Sequence, residues 1–197
     1  MGKLALLEGK IYFQFDKINI FRFLTDKFNL ETMTTLGMDN RFQCVQLSDG
    51  SIIKLRVMDT AGQEKFNAIS ESYYKQADCC LLMYDITSMD SFERIKNYYI
   101  ETIKTNCKRG IKIILLGNKT DLNDKRKVSQ DDGKTLAEEN GYMFMESSCK
   151  DNYNVSDAFT ALIEMTSKEI ARNNRSQSSI SLETKGDTIN SGCCKNI

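Results

Sequence analysis

The fold class is decided by two short apolar runs, Cys79-Cys80-Leu81-Leu82-Met83-Tyr84 and Ile111-Lys112-Ile113-Ile114-Leu115-Leu116. Both runs are nearly unbroken, so they lack the alternation of apolar and polar residues that marks a strand with one solvated face. They are typical of strands that are buried on both faces of a parallel sheet. We therefore expect both runs to lie inside a sheet that is covered by helices.

Upstream of these runs the sequence predicts a β-hairpin. Residues 42–47 alternate and are followed by Ser48-Asp49-Gly50, a typical hairpin turn. The second predicted strand covers residues 52–58, and its apolar face consists of Ile53, Leu55 and Val57.

Helical patterns fall between and after the predicted strands. Asp90-Ser91-Phe92-Glu93 resembles a capping box and predicts a helix that runs toward Lys104. A second helix is predicted from Ser129 to the Asn140-Gly141 pair, and a third from about Asn154, where apolar residues recur at helical spacing. Because strands and helices alternate, the sequence predicts an α/β domain with a mainly parallel sheet.

The composition excludes several classes of function. Lys plus Arg number 27 and Asp plus Glu also number 27, so the chain lacks the basic excess that nucleic-acid binders usually show. It contains no His, which rules out Ser-His-Asp catalysis and zinc sites that need imidazole. Its seven Cys lack C-x-x-C spacing and no signal peptide is recognisable, which predicts a cytoplasmic protein with reduced thiols.

Polar segments follow two of the predicted strands. Asp59-Thr60-Ala61-Gly62-Gln63-Glu64 comes directly after one strand, and Asn118-Lys119-Thr120-Asp121 directly after another. Ligands of open parallel sheets bind at the carboxyl ends of the strands, so the two segments can line one crevice. The Asp-x-x-Gly of the first segment is by itself too common to identify a ligand.

The Asn-Lys-x-Asp segment fits guanine. The Asp121 carboxylate can accept hydrogen bonds from the ring N–H and the exocyclic amine of this base, and the aliphatic stem of Lys119 can cover the base plane. Adenine lacks this pair of donors and would leave the carboxylate unpaired, which can discriminate roughly 10⁴-fold or more. The alternative for this segment is a strand that ends in an ordinary polar turn.

Four motifs together resemble one superfamily. They are Thr34-Thr35-Leu36-Gly37, the segment from Asp59 to Glu64, the segment from Asn118 to Asp121, and Ser147-Ser148-Cys149-Lys150. In this order they are similar to the motifs of Ras-superfamily small GTPases. Further similarity to the Rab family of vesicle-traffic GTPases lies in Lys65-Phe66, Tyr73-Tyr74, Tyr84-Asp85-Ile86-Thr87 and the Cys193-Cys194 ending. The resemblance implies a single Ras-like, P-loop-GTPase-like domain over residues 19–172, with a mainly parallel six-stranded sheet flanked by helices.

The resemblance also implies a nucleotide site for GTP or GDP with Mg²⁺. Its members would be Lys17, Thr35, Asp59, Thr60, Ala61, Gly62, Gln63, Asn118, Lys119, Asp121, Ser148, Cys149 and Lys150. Thr35 and Asp59 would hold the metal. Gly62 would contact the γ-phosphate, and Gln63 would be the catalytic residue that orients the attacking water. Hydrolysis of GTP by positioning and electrostatics needs no His.

One part of the family pattern is missing. The sequence contains no G-x-x-x-x-G-K-[ST] phosphate loop, and residues 1–18 form an atypical N-terminal segment. Tyr12, Phe13 and Phe15 stand where loop glycines are expected; Lys17 could replace the loop lysine, but Ile18 has no hydroxyl for Mg²⁺. Losing about five charge-assisted hydrogen bonds would cost on the order of 7–15 kcal/mol of nucleotide binding.

Smaller departures concern the family's exposed hydrophobic triad and the base loop. Asn40 replaces a Phe and Met58 a Trp, which leaves Tyr73 as the intact member of the triad and affects effector recognition. Cys149 replaces an Ala, but the implied contact with the base is a backbone N–H.

Three interpretations remain open. The first is a Rab-type GTPase that switches between GTP and GDP, in a variant or mis-assembled chain whose first residues replaced a normal strand and loop. The second is a nucleotide-binding-deficient Rab-like pseudo-GTPase that acts as a binding module. The third is a generic flavodoxin-like α/β protein, which would explain neither the ordered motifs nor the tail.

The C-terminal residues predict membrane attachment. After Arg172 the periodicity is lost, so residues 173–197 are predicted to be a flexible hypervariable tail that ends in the prenylation pair Cys193-Cys194. The resemblance implies a monomer on the cytosolic face of an endomembrane or the plasma membrane. It also implies an exchange factor, a GTPase-activating protein, a prenylation escort, a dissociation inhibitor and effectors as partners, and no nucleic acid.

Overall fold

The computed structural model describes residues 6–14, 38–47, 49–60 and 74–183. Six strands form one sheet in the order β2-β3-β1-β4-β5-β6. Only β2 and β3 pair in antiparallel fashion among the described strands. The predicted mainly parallel, six-stranded sheet is therefore confirmed. The strands are β1 (Leu6–Gln14), β2 (Met38–Gln46), β3 (Ile52–Thr60), β4 (Cys79–Asp85), β5 (Lys112–Asn118) and β6 (Met143–Ser147).

The predicted hairpin is present between β2 and β3. Its turn contains Gly50 at a φ of 82°, a left-handed conformation that glycine adopts without steric cost. The predicted apolar face of β3 is buried, since Ile53, Leu55 and Val57 are each 1% exposed. Strand β2 begins before its predicted start, and β3 continues past its predicted end at residue 58, so that Asp59 belongs to β3.

Strand β1 corrects the interpretation of the N-terminal segment. Residues 6–14 pair in parallel with both β3 and β4, at the centre of the sheet. Tyr12 and Phe13 are in register with Met58 and Asp59, so they belong to a strand and not to the position of loop glycines. The predicted loop residues that follow, from Phe15 to Ile18, lie outside the described residues.

The helix predicted from Asp90 toward Lys104 is present but built differently. Its cap is Ser88, whose hydroxyl accepts a hydrogen bond from the Ser91 backbone N–H, so the predicted capping box at Asp90 was wrong. The helical stretch also contains a π-helical turn, which the sequence did not predict. It consists of α1 (Met89–Arg94), the π-helical turn (Ile95–Tyr99) and α2 (Ile100–Asn106).

Helix α3 (Gln130–Asn140) confirms the prediction at both ends. Ser129 and Asp132 form a reciprocal capping box, and Gly141 ends the helix in the left-handed conformation. Helix α4 (Val155–Glu183) begins where the sequence predicts. It continues through residues 173–183, which corrects the prediction that regular structure is lost after Arg172.

Helices cover the sheet on two sides through separate apolar clusters. One cluster joins the side chains of Leu81, Met83 and Leu116 to Phe159 and Leu162 of α4. The other joins alternate residues of the same strands to Ile95, Ile100, Ile103 and Leu136 of the remaining helices. Both runs that decide the fold class are thus buried on both faces, as predicted.

The chain divides into two compact units, residues 1–167 and residues 168–197. The first contains the sheet and the two apolar clusters. The described part of the second is helical and contains an ion pair in which Arg172 Nη1 lies 3.9 Å from Glu169 Oε2.

Candidate functional site

The carboxyl ends of β4, β5 and β6 are aligned. Asp85, the last residue of β4, is in register with Asn118 at the end of β5, and Asn118 is in register with Ser147 at the end of β6. The loops that leave these three ends therefore begin side by side. This alignment brings together the two predicted segments that begin at Asn118 and Ser147.

Asn118 connects the loops to one another. Its side chain is 4% exposed, and its Oδ1 accepts a hydrogen bond of 3.4 Å from the Ser147 hydroxyl. Its backbone carbonyl accepts a hydrogen bond of 3.1 Å from Ile86 N–H, in the loop after β4. Asn118 therefore holds the loops after β4 and β6 at a fixed distance from β5.

Lys119 has an unusual backbone and a defined partner. Its φ of 73° and ψ of 40° lie in the left-handed region, which costs a non-glycine residue roughly 1–2 kcal/mol. Its Nζ lies 2.8 Å from Asp85 Oδ2, and the Lys119 side chain remains 47% exposed. Such strain occurs where the surrounding structure needs one orientation of a side chain. The ion pair therefore restricts the position of the Lys119 ammonium group, while about half of the side chain stays exposed.

Asp85 remains ionised through these contacts. Burial alone raises the pKa of its carboxyl, but the hydrogen bonds from Lys119 and Thr87 outweigh burial and lower the pKa below its ordinary value. The Thr87 backbone N–H and hydroxyl donate to Asp85 Oδ1 at 2.8 Å and 2.7 Å. The two carboxylate oxygens of Asp85 are thus both engaged, Oδ1 by Thr87 and Oδ2 by Lys119.

Asp121 and Ser148 join the second pair of loops. The Ser148 hydroxyl donates a hydrogen bond of 2.6 Å to Asp121 Oδ1. Asp121 lies in a 3₁₀ helix, Thr120–Lys125, which begins directly after Lys119. A carboxylate accepts up to about four hydrogen bonds, so this contact orients Asp121 and leaves capacity for a ligand.

Backbone hydrogen bonds close the loop that follows β6. Ser148 and Tyr153 exchange two backbone hydrogen bonds of 3.0 Å and 2.9 Å, which close the loop on itself. The Cys149 side chain is 5% exposed and packs in the apolar cluster under α4. A contact of Cys149 with a ligand would therefore come from its backbone. Lys150, by contrast, is exposed.

A partly buried ion pair between Arg126 and Glu146 was not predicted from the sequence. Arg126 donates to both carboxylate oxygens of Glu146 at 2.6 Å and 3.1 Å, and to the Val128 carbonyl at 3.2 Å. The hydrogen bonds with Glu146 raise the pKa of the Arg126 guanidinium. Asn154 Nδ2 donates to the Glu146 carbonyl at 2.9 Å. The pair ties the 3₁₀ helix to β6, and no sequence motif connects residues 20 positions apart.

The predicted phosphate and metal residues are described only in part. The backbone of Asp59 and Thr60 lies at the carboxyl end of β3, at the same edge of the sheet as Asn118. Among the described side chains, no group of three or more Cys, Asp or Glu could hold a metal ion. The remaining predicted residues lie outside the described part of the chain, namely Lys17, Thr35, Ala61, Gly62, Gln63, Cys193 and Cys194.

Comparison with known proteins identifies the family of this arrangement. The model of the Ras family matches residues 18–168. Ras-related protein Rab-13 of Bos taurus is 45% identical over 143 residues, which cover 73% of this chain and 70% of that protein. Ras-related protein Rab-8A of Rattus norvegicus is 44% identical over the same length, covering 73% of this chain and 68% of that protein.

The chain belongs to the Rab family of small GTPases. Its doubly covered sheet is the Ras-like fold that the motifs predicted. Ras and Rab proteins bind GTP or GDP with Mg²⁺ and hydrolyse GTP. The match with the family model begins at residue 18. The residues of this Rab sequence just before that position do not contain the phosphate-loop pattern.

Proposed function

We propose that this Rab protein is a guanine-nucleotide switch in vesicle-mediated transport. The observation that carries the proposal is the hydrogen bond of 2.6 Å between Ser148 and Asp121, which orients a carboxylate beside the left-handed turn at Lys119. An oriented carboxylate that accepts hydrogen bonds fits the two N–H donors of a guanine base. Family membership favours the switch over the alternative of a binding module without nucleotide.

Base recognition in this proposal rests on charge and shape. The Asp121 carboxylate accepts hydrogen bonds from the ring N–H and the exocyclic amine of guanine. The stem of Lys119 lies against one face of the ring. Asp85 holds the ammonium group of Lys119, so the stem is ordered before the base arrives. Backbone groups of Ser148, Cys149 and Lys150 contact the base edge.

Phosphate binding and hydrolysis rest on the other loops. Thr35 and Asp59 hold Mg²⁺, which neutralises charge on the phosphates when bound. The Gly62 amide and Lys17 contact phosphate oxygens, Thr60 and Ala61 shape the loop, and Gln63 orients the attacking water. Since the sequence has no phosphate-loop glycines, we expect nucleotide affinity well below that of a complete site.

A mutation of Asp121 tests the base site. Asp121→Asn keeps an oxygen that can accept from Ser148, but it replaces the charged acceptor that guanine needs. We expect affinity for a fluorescent GDP with Mg²⁺ to fall about 100-fold or more, because two charge-assisted hydrogen bonds are lost. Asp124→Asn is the matched control, since Asp124 is an exposed carboxylate in the same 3₁₀ helix. Equal affinities of the two variants would contradict the assignment of Asp121.

Membrane attachment through Cys193 and Cys194 is part of the same proposal. Two lipid chains give stable anchoring where a single chain gives reversible binding. No helix in the described part of the chain is long and apolar enough to cross a membrane. The protein would then act as a monomer on the cytosolic face of an endomembrane or the plasma membrane. Its partners would be an exchange factor, a GTPase-activating protein, a prenylation escort, a dissociation inhibitor and effectors.

Mass spectrometry of the C-terminal peptide from eukaryotic cells tests the attachment. We expect prenyl adducts on both Cys193 and Cys194. Two unmodified thiols in the membrane fraction would contradict this part of the proposal.

A further inference from the structure

A cavity of about 440 Å³ lies at the edge of the sheet opposite to the base site. Its wall includes Lys112 and Met143, the first residues of β5 and β6. Asn118, at the other end of β5, is six residues away from Lys112, or about 20 Å along the strand. Pockets that take small molecules have volumes of roughly 300–1,000 Å³. The cavity is therefore large enough for a small ligand, and it is separate from the proposed nucleotide site.

Part of the inner wall of the cavity is apolar. Ile103 and Ile113 are 2% and 6% exposed, and Met165 also lines it. Met143 is 42% exposed, one of few large apolar side chains in the described residues with so much contact to water. Exposed Met side chains adapt to many apolar shapes. The wall can thus receive the apolar part of a ligand.

The rim of the cavity is cationic. Lys104, Lys108, Arg109 and Lys112 line it, and none of its described lining residues is Asp or Glu. Carboxylates just outside the lining set partly offset this charge, since Glu101 pairs with Lys104 at 3.2 Å and Asp78 with Lys108 at 2.8 Å.

The carboxyl-terminal ends of α2 and α3 also border the cavity, and the dipole of each helix contributes about half a negative charge there. Together with the two carboxylates they offset part of the charge of the lysines. Positive charge remains at Arg109, whose side chain is exposed and which makes no ion pair with the other described residues.

The polar groups inside the cavity add no negative charge near neutral pH. Burial raises the pKa of the Cys107 thiol to about 11. Burial also raises the pKa of the Tyr142 hydroxyl to about 12, with smaller contributions from Cys80, Cys107 and Glu101. Both groups are therefore neutral donors, and an anion that enters meets no opposing charge from them.

We propose that this cavity binds a small amphipathic anion, a carboxylate joined to an apolar chain. The chain lies against Ile103, Ile113 and Met165, and the carboxylate lies at the cationic rim near Arg109. The volume of about 440 Å³ lies in the range of small-molecule pockets, and the basic residues at the rim select the charge of the ligand. This site is independent of the guanine nucleotide, so its test does not depend on the proposed function.

Methyl NMR of the full chain labelled with ¹³C-methyl methionine tests the proposal. The probe is decanoate, kept below its micellar concentration. We expect saturable shifts of the Met143 and Met165 methyl signals and none of Met89, which is exposed at the other end of β4. Acetate, which lacks the chain, and decyltrimethylammonium, which has the opposite charge, should give no saturable shift. Absence of a saturable decanoate shift, equal shifts of Met89, or equal binding of the cation would overturn the proposal.

A charge reversal at the rim provides the second readout. Arg109→Glu should weaken decanoate binding about tenfold, because it replaces a cation by an anion at an exposed position. Lys96→Glu is the matched control, since Lys96 is exposed on the π-helical turn and does not line the cavity. Both residues are on the surface, so the variants should fold. Equal affinities of the two variants for decanoate would show that the rim does not select an anion.

Discussion

At the scale of residues, the site depends on a few side chains that are fixed before any ligand binds. Lys119 has a strained backbone, and its ammonium group pairs with Asp85, whose carboxylate is held by hydrogen bonds from Thr87. Because the pKa of Asp85 is lowered, its ionised form stabilises the fold above the ordinary carboxyl pKa of about 3.9. This contribution is lost as the pH falls through the lowered pKa. The arrangement is therefore complete at neutral pH.

Tyr84 offers a test of packing beside this arrangement. Its hydroxyl is buried and has no hydrogen-bond partner among the residues that the structure describes, and it faces Gly117 and Gly133. An unpaired buried hydroxyl costs about 1–3 kcal/mol, so Tyr84→Phe should leave the free energy of unfolding unchanged or raise it by about 1 kcal/mol. Denaturant unfolding measures this change.

Tyr84→Ala is the contrasting variant for the same experiment. It removes the whole buried ring and should lower the free energy of unfolding by about 3–5 kcal/mol. If Tyr84→Phe lowered it by more than 1 kcal/mol, the hydroxyl would have a partner and the packing described at this position would be incorrect.

At the scale of elements, local signals account for the positions of most helices and strands. The Asn140-Gly141 pair and Ser129 fix both ends of α3, because capping depends on neighbouring residues. The apolar runs of β4 and β5 predict that these two strands are buried on both faces of the sheet. These features can be predicted from the sequence because each depends on a few adjacent positions.

The cap of α3 can be tested directly. The Ser129 hydroxyl accepts from the Asp132 backbone N–H at 3.0 Å, and the Asp132 carboxylate accepts from the Ser129 backbone N–H at 3.3 Å. Ser129→Ala removes the first bond and should lower the free energy of unfolding by about 1 kcal/mol. Thermal unfolding measures this change. Ser129→Asn preserves the cap and should be nearly neutral; a loss equal to that of Ala would contradict a capping role.

Other elements could not be predicted because distant residues determine them. Strand β1 contains Glu8, Gly9 and Lys10, which weaken its local strand pattern, and it is stabilised by pairing with β3 and β4. The cap at Ser88 was missed because Asp90 offers an equally good local pattern. The π-helical turn has no local signal, and its Ile95 and Tyr99 are placed by burial against the sheet.

At the scale of the whole molecule, the parallel sheet is what assembles the site. Asn118 and Ser147, where the two loops of the proposed base site begin, are 29 positions apart in sequence. They are adjacent because β5 and β6 pair in parallel. The sequence predicted Asn118, Lys119, Asp121 and Ser148 through their motifs. It could not predict Arg126 and Glu146, whose contact depends on the packing of the 3₁₀ helix against β6.

The most direct test compares the affinities of the chain for GDP and for inosine diphosphate in the presence of Mg²⁺. The two ligands have the same phosphates and differ only in the exocyclic amine, which donates a hydrogen bond to Asp121 in the proposed site. The contribution of the phosphate loops therefore cancels in the ratio of the two affinities. We expect GDP to bind at least about tenfold more tightly, because inosine diphosphate leaves one acceptor site of the Asp121 carboxylate without a donor. Equal affinities, at whatever absolute strength, would contradict a guanine site built on Asp121.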